Sequence, residues 1–304
     1  MSASVARAPS VPFAVLGAGT WGVTLADILD RNGHRVWCWD IDARLIERLD
    51  RERAHPRLEG LRLGENPRFT ADLTEALEQT DYVVLAVPSK AMRAALEASR
   101  DTGRVGRVCG WVICTKGIEQ RTNLLMHEVL TDVLGEGAGA RTGVLSGPSH
   151  AEEVWRAMPT TVVAAAADPA LAERIQQWFF RPYLRVYTHD DVRGVELGGA
   201  IKNVIAIAAG VSDGLGYGDN ARAALITRGL AEIVRLGLAA GARLETFMGL
   251  SGIGDLIVTA GSRHSRNRAF GEWLARGLSV AEALDRVGMV VEGYATAPSA
   301  RRSS

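Results

Sequence analysis

The stretch Val11–His34, VPFAVLGAGTWGVTLADILDRNGH, decides the fold. Val11 to Leu16 reads as a short buried strand. Gly17-Ala18-Gly19-Thr20-Trp21-Gly22 follows at once, and VTLADILDRNGH reads as a helix. This is G-x-G-x-x-G in the strand–turn–helix setting that gives the motif its meaning. Gly17 permits the tight turn, Gly19 lets a pyrophosphate approach the backbone, and Gly22 lets helix and strand pack closely. The helix N-terminus adds free N–H groups and the positive end of a dipole. A Gly-rich turn that binds nothing is the alternative, and the setting weighs against it.

Moving outward, the second strand, Arg35 to Trp39, ends in Asp40. That is where a ribose-binding acid belongs, and it favours NAD over NADP. Arg44 lies close by, and Asp42 is placed to cap the next helix. Asp81–Val87, DYVVLAV, is a continuous apolar run typical of a parallel strand buried on both faces. Pro88 ends it, and Ser89 is placed to cap a helix. Arg107–Thr115 is another strand and delivers Lys116 to the same sheet edge. There Lys116 is either a binder of an anionic substrate or cofactor, or a surface lysine. Gly143–Leu145 is a further strand, with Ser146-Gly147-Pro148-Ser149-His150-Ala151 as its turn into a helix. His150 is the one histidine placed for chemistry, although a loop histidine near a helix start is more often structural. Thr160–Ala166 and Leu184–Tyr187 read as two more strands, with a helix from Pro169 to Phe179 between them. The alternation predicts an α/β fold with a Rossmann-type doubly wound parallel sheet through about Tyr187.

After His189 strand signals disappear, so an all-helical second domain is expected. The expected division is 1–188 for the dinucleotide-binding domain and 189–304 for a helical substrate or catalytic domain. Gly194–Asn220, GVELGGAIKNVIAIAAGVSDGLGYGDN, opens the second part. From Val195 to Val211 it is apolar or small all round, which predicts a buried helix. Lys202 sits in its middle, on a face with Gly198, Gly199, Ala206 and Ala209. Two adjacent glycines in a helix need a reason, and a substrate or cofactor lying against the backbone supplies one. A lysine in such a place is paired or loses its proton, and desolvation lowers its pKa. Lys202 therefore reads as a general acid/base, the alternative being a lysine that snorkels to solvent. The Gly-rich tail is placed to bring Asn220 near the same site.

Asn220–Ala240 reads as a second helix. In Gly249–Gly261, GLSGIGDLIVTAG, Asp255 is either a helix N-cap or a carboxylate that holds and tunes Lys202. Ser262–Arg268, SRHSRNR, reads as a polar, basic loop in which Arg266 and Asn267 suit a phosphate dianion, the alternatives being a solvated basic loop or, more weakly, an RNA contact. Short helices follow over Phe270–Arg276 and Val280–Val287, and Val290–Tyr294 leads into a polar tail.

The bulk numbers agree with an enzyme. Lys+Arg and Asp+Glu are 35 each, and this zero balance argues against a general nucleic-acid or membrane-surface binder. Cys38, Cys109 and Cys114 all lie in strand-like apolar runs, the setting of reduced, buried thiols. Their odd count gives neither a disulfide framework nor a zinc motif, and no metal is expected. MSASVARAPS has no apolar core and is not read as a signal peptide. No run reads as a membrane span without Lys or turn residues intervening. A cytoplasmic address is expected.

With these residues assembled, the chain resembles the bacterial NAD(P)-dependent glycerol-3-phosphate dehydrogenase family from about Pro12 to about Ala297. The most specific match is Gly199-Ala200-Ile201-Lys202-Asn203-Val204-Ile205-Ala206 with Gly210, Asp213-Gly214, Gly216, Gly218 and Asn220. GAGTWG, VPS, TKG, SGPS, LSGIGDL, SRNR and VVEGY stand in the family's order. The resemblance implies that Lys202 is the proton acceptor in glycerol 3-phosphate oxidation. It implies substrate contacts at Lys116, Gly147, Ser149, Asp255, Thr259, Ser265, Arg266 and Asn267. It implies cofactor contacts at Thr20, Trp21, Lys116, Ala151, Arg266, Val290 and Glu292, which join Gly17, Gly19, Gly22 and Asp40 from the motif reading. Phospholipid synthesis is the implied pathway, a small phosphate ester the implied partner, and a homodimer the assembly to test.

Two departures stand out. Asp40 and Ile41 occupy a region where many relatives carry a basic residue suited to NADP. The chain also diverges at about Pro298, so a shortened C-terminus, exposed apolar surface and altered dimerisation are expected. Two other readings compete: a related lysine-using hydroxy-acid dehydrogenase, and a nucleotide-binding protein without catalysis.

Overall fold

The computed structural model describes residues 10–302. Eight strands run β1 (Pro12–Leu16), β2 (Arg35–Trp39), β3 (Arg68–Thr70), β4 (Tyr82–Leu85), β5 (Gly110–Ile113), β6 (Thr142–Ser146), β7 (Thr160–Ala166) and β8 (Leu184–His189). Between them lie α1 (Thr20–Arg31), α2 (Ala43–Glu52), α3 (Leu73–Glu78), α4 (Met92–Asp101), α5 (Met126–Leu134), α6 (Glu136–Gly139), α7 (Ala151–Val154) and α8 (Pro169–Phe179). The rest is helical: α9 (Val192–Gly214), α10 (Gly218–Ala239), α11 (Leu244–Phe247), a π-helical turn (Leu250–Gly254), α12 (Asp255–Gly261), α13 (Arg266–Ala275), α14 (Val280–Val287) and α15 (Glu292–Arg302).

The strands form one sheet in the order β3-β2-β1-β4-β5-β6-β7-β8. The order reverses at β1, so a crevice opens beyond the carboxyl ends of β1 and β4, where ligands bind in open α/β sheets. The sheet is buried on both faces. Phe13 and Val15 point to the layer built with α1, α2 and α8, and Ala14 and Leu16 to the layer built with α3, α4 and α5.

Every neighbouring pair is parallel except β6–β7, which is antiparallel. This corrects the expectation of a parallel sheet throughout. The segment between β6 and β7 holds only the single-turn α7, too little for a crossover onto the sheet face, so the chain doubles back. The helix α8 then restores a parallel pairing of β7 with β8. The edge strand β3 escapes a sequence reading because three residues carry no periodicity.

Other expectations also change. Cys109 is exposed just before β5, whereas Cys38 and Cys114 are buried. Asp42 caps α2 by accepting from Arg44 N and Leu45 N, as its position suggested. SRNR is not a loop throughout: Ser265 caps α13 by accepting from Arg268 N at 3.2 Å, and Arg266 opens the helix. The segment after Val291 is helix α15 rather than a tail. It lies against α9 so closely that a Cβ at Gly293 would collide with the carbonyl of Asn203.

The helix α9 is the axis of the second half. Leu197, Ala200 and Ile201 pack with Ile233, Phe247 and Leu256 in a separate core. It is long and apolar enough to cross a membrane, but 72% of its most apolar window is buried inside the protein. The other helices of this half cover it, which accounts for the all-round apolarity.

Candidate active site

Lys202 lies two turns into the buried part of α9 and is 4% exposed. Its ammonium does not snorkel. Nζ donates to Asp255 Oδ1 and, at 2.7 Å, to Thr259 Oγ1. Asp255 and Thr259 stand one turn apart on α12, so both face the lysine. The π-helical turn just before α12 sets the approach of that helix to α9, and Gly198 takes the turn's backbone: a Cβ there would come 2.5 Å from Ser251 O.

Lys116 reaches the same carboxylate from the sheet side. Its Nζ lies 2.7 Å from Asp255 Oδ2 and donates to Gly147 O at 2.9 Å. Gly199 explains its path, since a Cβ there would lie 3.0 Å from Ser146 Oγ and 3.5 Å from Lys116 Cγ. The small face of α9 is thus filled by the protein's own backbone and by the Lys116 stem. This corrects the idea that Gly198 and Gly199 leave room for a ligand.

Asp255 therefore joins two lysines from the two halves of the molecule. Burial alone would raise its pKa. The ammonium groups of Lys116 and then Lys202 outweigh this and hold it below the usual carboxylate value. Burial pushes Lys202 down to about 7, against the pull of Asp255 and with the help of Lys116. An amine at that value exchanges protons readily near neutrality.

The crevice above the sheet completes the site. Gly17 has φ +107°, and a Cβ there would press within 2.8 Å of the Ala86–Val87 peptide. Gly19 faces open space, and a Cβ there would meet nothing within 4 Å. The N-terminus of α1 carries no side-chain cap and no acidic residue in its first turn. These features fit a dinucleotide pyrophosphate. Gly22 is needed where α1 crosses Gly17, Thr20 is buried, and Trp21 packs partly against the sheet core. Asp40 accepts from Ala18 N at 2.7 Å and from Asp42 N at 3.0 Å, so its carboxylate also fastens the Gly-rich loop to the end of β2.

Arg266, at the start of α13, leans toward Thr20, with Nη2 3.4 Å from Thr20 Oγ1. Burial lowers its pKa, while Glu152 and Glu292 act on it only from a distance. Among the described residues no carboxylate pairs with it, so it is a half-buried cation free for an anion. Asn267 joins α13 to α9 and α15: Nδ2 donates to Asn203 Oδ1 at 2.9 Å, and Oδ1 accepts from Gly293 N at 2.8 Å. Ser149 Oγ donates to Gly147 O at 3.0 Å. Ala151 is buried at the start of α7 and Val290 is half-buried just before α15.

Glu292, the first residue of α15, accepts from Ser89 N at 3.1 Å and from the Ser89 hydroxyl. Burial raises its pKa, opposed by these bonds. Ser89 is therefore a tie to the second half rather than a helix cap. Asn220 is exposed at the start of α10 and takes no part. Sequence reading missed Asn203 and Ser146. The signal available for Asn203 was an amide inside an otherwise apolar helix.

Two family models divide the chain between them. NAD-dependent glycerol-3-phosphate dehydrogenase N-terminus matches residues 12–172, and NAD-dependent glycerol-3-phosphate dehydrogenase C-terminus matches 191–304. The chain belongs to the NAD-dependent glycerol-3-phosphate dehydrogenase family. It is 47% identical over 292 residues to glycerol-3-phosphate dehydrogenase [NAD(P)+] of Carboxydothermus hydrogenoformans, covering 96% of this chain and 86% of that protein. The enzyme of the same name from Moorella thermoacetica is 51% identical over 290 residues, covering 95% and 84%. A crystal structure of glycerol-3-phosphate dehydrogenase from Coxiella burnetii superposes with a TM-score of 0.91 at 36% identity, covering 96% of this chain and 89% of that one.

Proposed function

We propose that this chain interconverts sn-glycerol 3-phosphate and dihydroxyacetone phosphate using NAD(H) or NADP(H). The observation that carries the reading is the Lys202–Asp255–Lys116 cluster, in which buried Lys202 of α9 and half-buried Lys116 after β5 share the buried carboxylate of α12. When bound, the nicotinamide supplies the hydride acceptor or donor. Lys202, neutral, takes the C2 hydroxyl proton in oxidation; protonated, it polarises the ketone oxygen and returns the proton in reduction. Asp255 holds the amine in place, with Thr259 fixing its second direction. Arg266 holds the phosphate, so binding energy remote from C2 positions the reacting carbon. Lys116 steadies Asp255 and lines the substrate side with Gly147 and Ser149. Ser265 and Asn267 shape the start of α13, with Asn267 acting through Asn203 and Gly293.

The cofactor contacts in this reading are Gly17, Gly19, Thr20, Trp21, Gly22, Asp40, Lys116, Ala151, Arg266, Val290 and Glu292. Asp40 supports a lean toward NAD. The reading takes 1–188 and 189–304 as the two domains, supported by the short step from β8 to α9. It takes phospholipid synthesis as the pathway served, the cytoplasm as the location and a homodimer as the assembly.

The test is the decay of NADH absorbance with dihydroxyacetone phosphate, run beside NADPH, and the reverse reaction with glycerol 3-phosphate, free glycerol and 2-hydroxy acids. Turnover with the phosphate ester and little with free glycerol is expected. Faster turnover of a hydroxy acid overturns the reading. Sedimentation of the purified protein tests the dimer.

A further inference from the structure

His150 has no place in the chemistry above, yet it sits between Ser149 and Ala151, both assigned to the site. It occupies the N-cap position of α7, but its side chain makes no capping bond. Its Nε2 is buried without a hydrogen-bond partner. Buried polar atoms in native proteins are nearly always satisfied, so an orphan of this kind marks a place that a ligand or water completes. The ring packs against that of His264, with centroids 6.0 Å apart and planes tilted by 53°. His150 comes from the loop after β6. His264 comes from the loop that ends in Ser265 and Arg266, so the pair joins the loop after β6 to the one that opens α13. Ser146 Oγ, beside Gly199 and the Lys116 stem, is a second buried orphan at the foot of the same loop.

We infer that His150 is a substrate-binding and specificity-determining residue whose Nε2 hydrogen-bonds the C1 hydroxyl of the triose phosphate, the end of the substrate opposite the phosphate. This rests on the activity proposed above. The electrostatics select a neutral oxygen rather than the dianion. Burial first, and the Lys202 ammonium second, lower the His150 pKa, while Glu152, Asp255 and Glu153 oppose them. A neutral imidazole both donates and accepts, which suits a hydroxyl. The phosphate already has Arg266, a permanent cation.

The experiment compares the wild type with His150→Phe and His150→Gln, each with dihydroxyacetone phosphate and with the same triose phosphate lacking the C1 hydroxyl. Phenylalanine keeps a ring against His264 and removes Nε2; glutamine restores a polar atom at similar reach. In the wild type, loss of the substrate hydroxyl lowers kcat/KM by about tenfold, the worth of one hydrogen bond. In His150→Phe, kcat/KM for dihydroxyacetone phosphate falls by a similar factor, and the preference between the two ketones collapses. His150→Gln recovers most of both, and KM for NADH stays within about twofold throughout, since the cofactor contacts are untouched. Coupling between the substrate group and the enzyme group is the signature that a merely structural histidine would not give.

A wild type that reduces the deoxy ketone as well as the full substrate overturns the inference, whether or not the variants fold. So does a folded His150→Phe that keeps the wild-type preference. A wild type inert toward both ketones overturns the dehydrogenase reading, and this inference with it.

Discussion

At Gly19, in the loop after β1, an added methyl group would meet nothing within 4 Å; at Gly210, in α9, it would run into the backbone carbonyl of Arg268. The same residue type serves opposite ends. In the turn after β1, Gly19 leaves backbone bare for something that is not protein, while its neighbours Gly17 and Gly22 are packed against backbone. In the helical half, Gly198, Gly210 and Gly271 are needed because another stretch of backbone already fills the space. The charged chemistry divides the same way. The sheet half offers peptide N–H groups and a helix end, while the helical half offers a buried amine on a carboxylate. The two sets of features meet at Asp255, where Lys116 from the sheet half shares the carboxylate with Lys202.

The sharpest break of that division is Lys202→Ala. Because Lys202 is not among the proposed cofactor contacts, kcat should fall by about 10²–10⁴-fold while NADH binding stays near normal. Steady-state kinetics and NADH titration check it, and full turnover would remove Lys202 from the chemistry. Next comes Gly210→Val. Its side chain has backbone to displace, so unfolding in urea should show a loss of about 3 kcal/mol or more. The pH dependence follows from Lys202 at about 7. Reduction needs the protonated amine and should fall by up to about tenfold per pH unit above that value; oxidation needs the neutral amine and should fall below it. A flat profile in both directions would show that another group carries the proton. The smallest effect is expected from Gly19→Ala. Its backbone, at φ −65° and ψ 177°, is open to any residue. The protein should melt at the wild-type temperature, with NADH affinity weakened by about fivefold through crowding of the pyrophosphate.

The two halves also differed in how far residues alone revealed them. The β1–α1 unit was legible because a period change from strand to helix brackets the glycines, and Asp42 fulfilled its capping role. Lys202 was legible because a charge stands out in an apolar helix, and Asp255 because its surroundings are apolar too. The reversal at β6–β7 was not, since strand direction is fixed by the length of the connection and not by the strand's own residues. The use of Gly198 and Gly199 was misread for a related reason. Sequence marks a close approach without saying what approaches. Asn267 read as a phosphate ligand because it neighbours Arg266, and the bonds its amide makes to Asn203 and Gly293 were not foreseen. Neighbours along a helix turn away from each other by about 100°.

The tie between Glu292 and Ser89 spans 203 residues of chain. During synthesis the sheet is complete long before residue 292 leaves the ribosome, so a nascent protein holds its finished β1–α1 turn while the partner of Ser89 has yet to appear. Domains made first fold first. The clasp between the two halves is therefore made late in the life of each new molecule, when α15 docks and Glu292 meets Ser89.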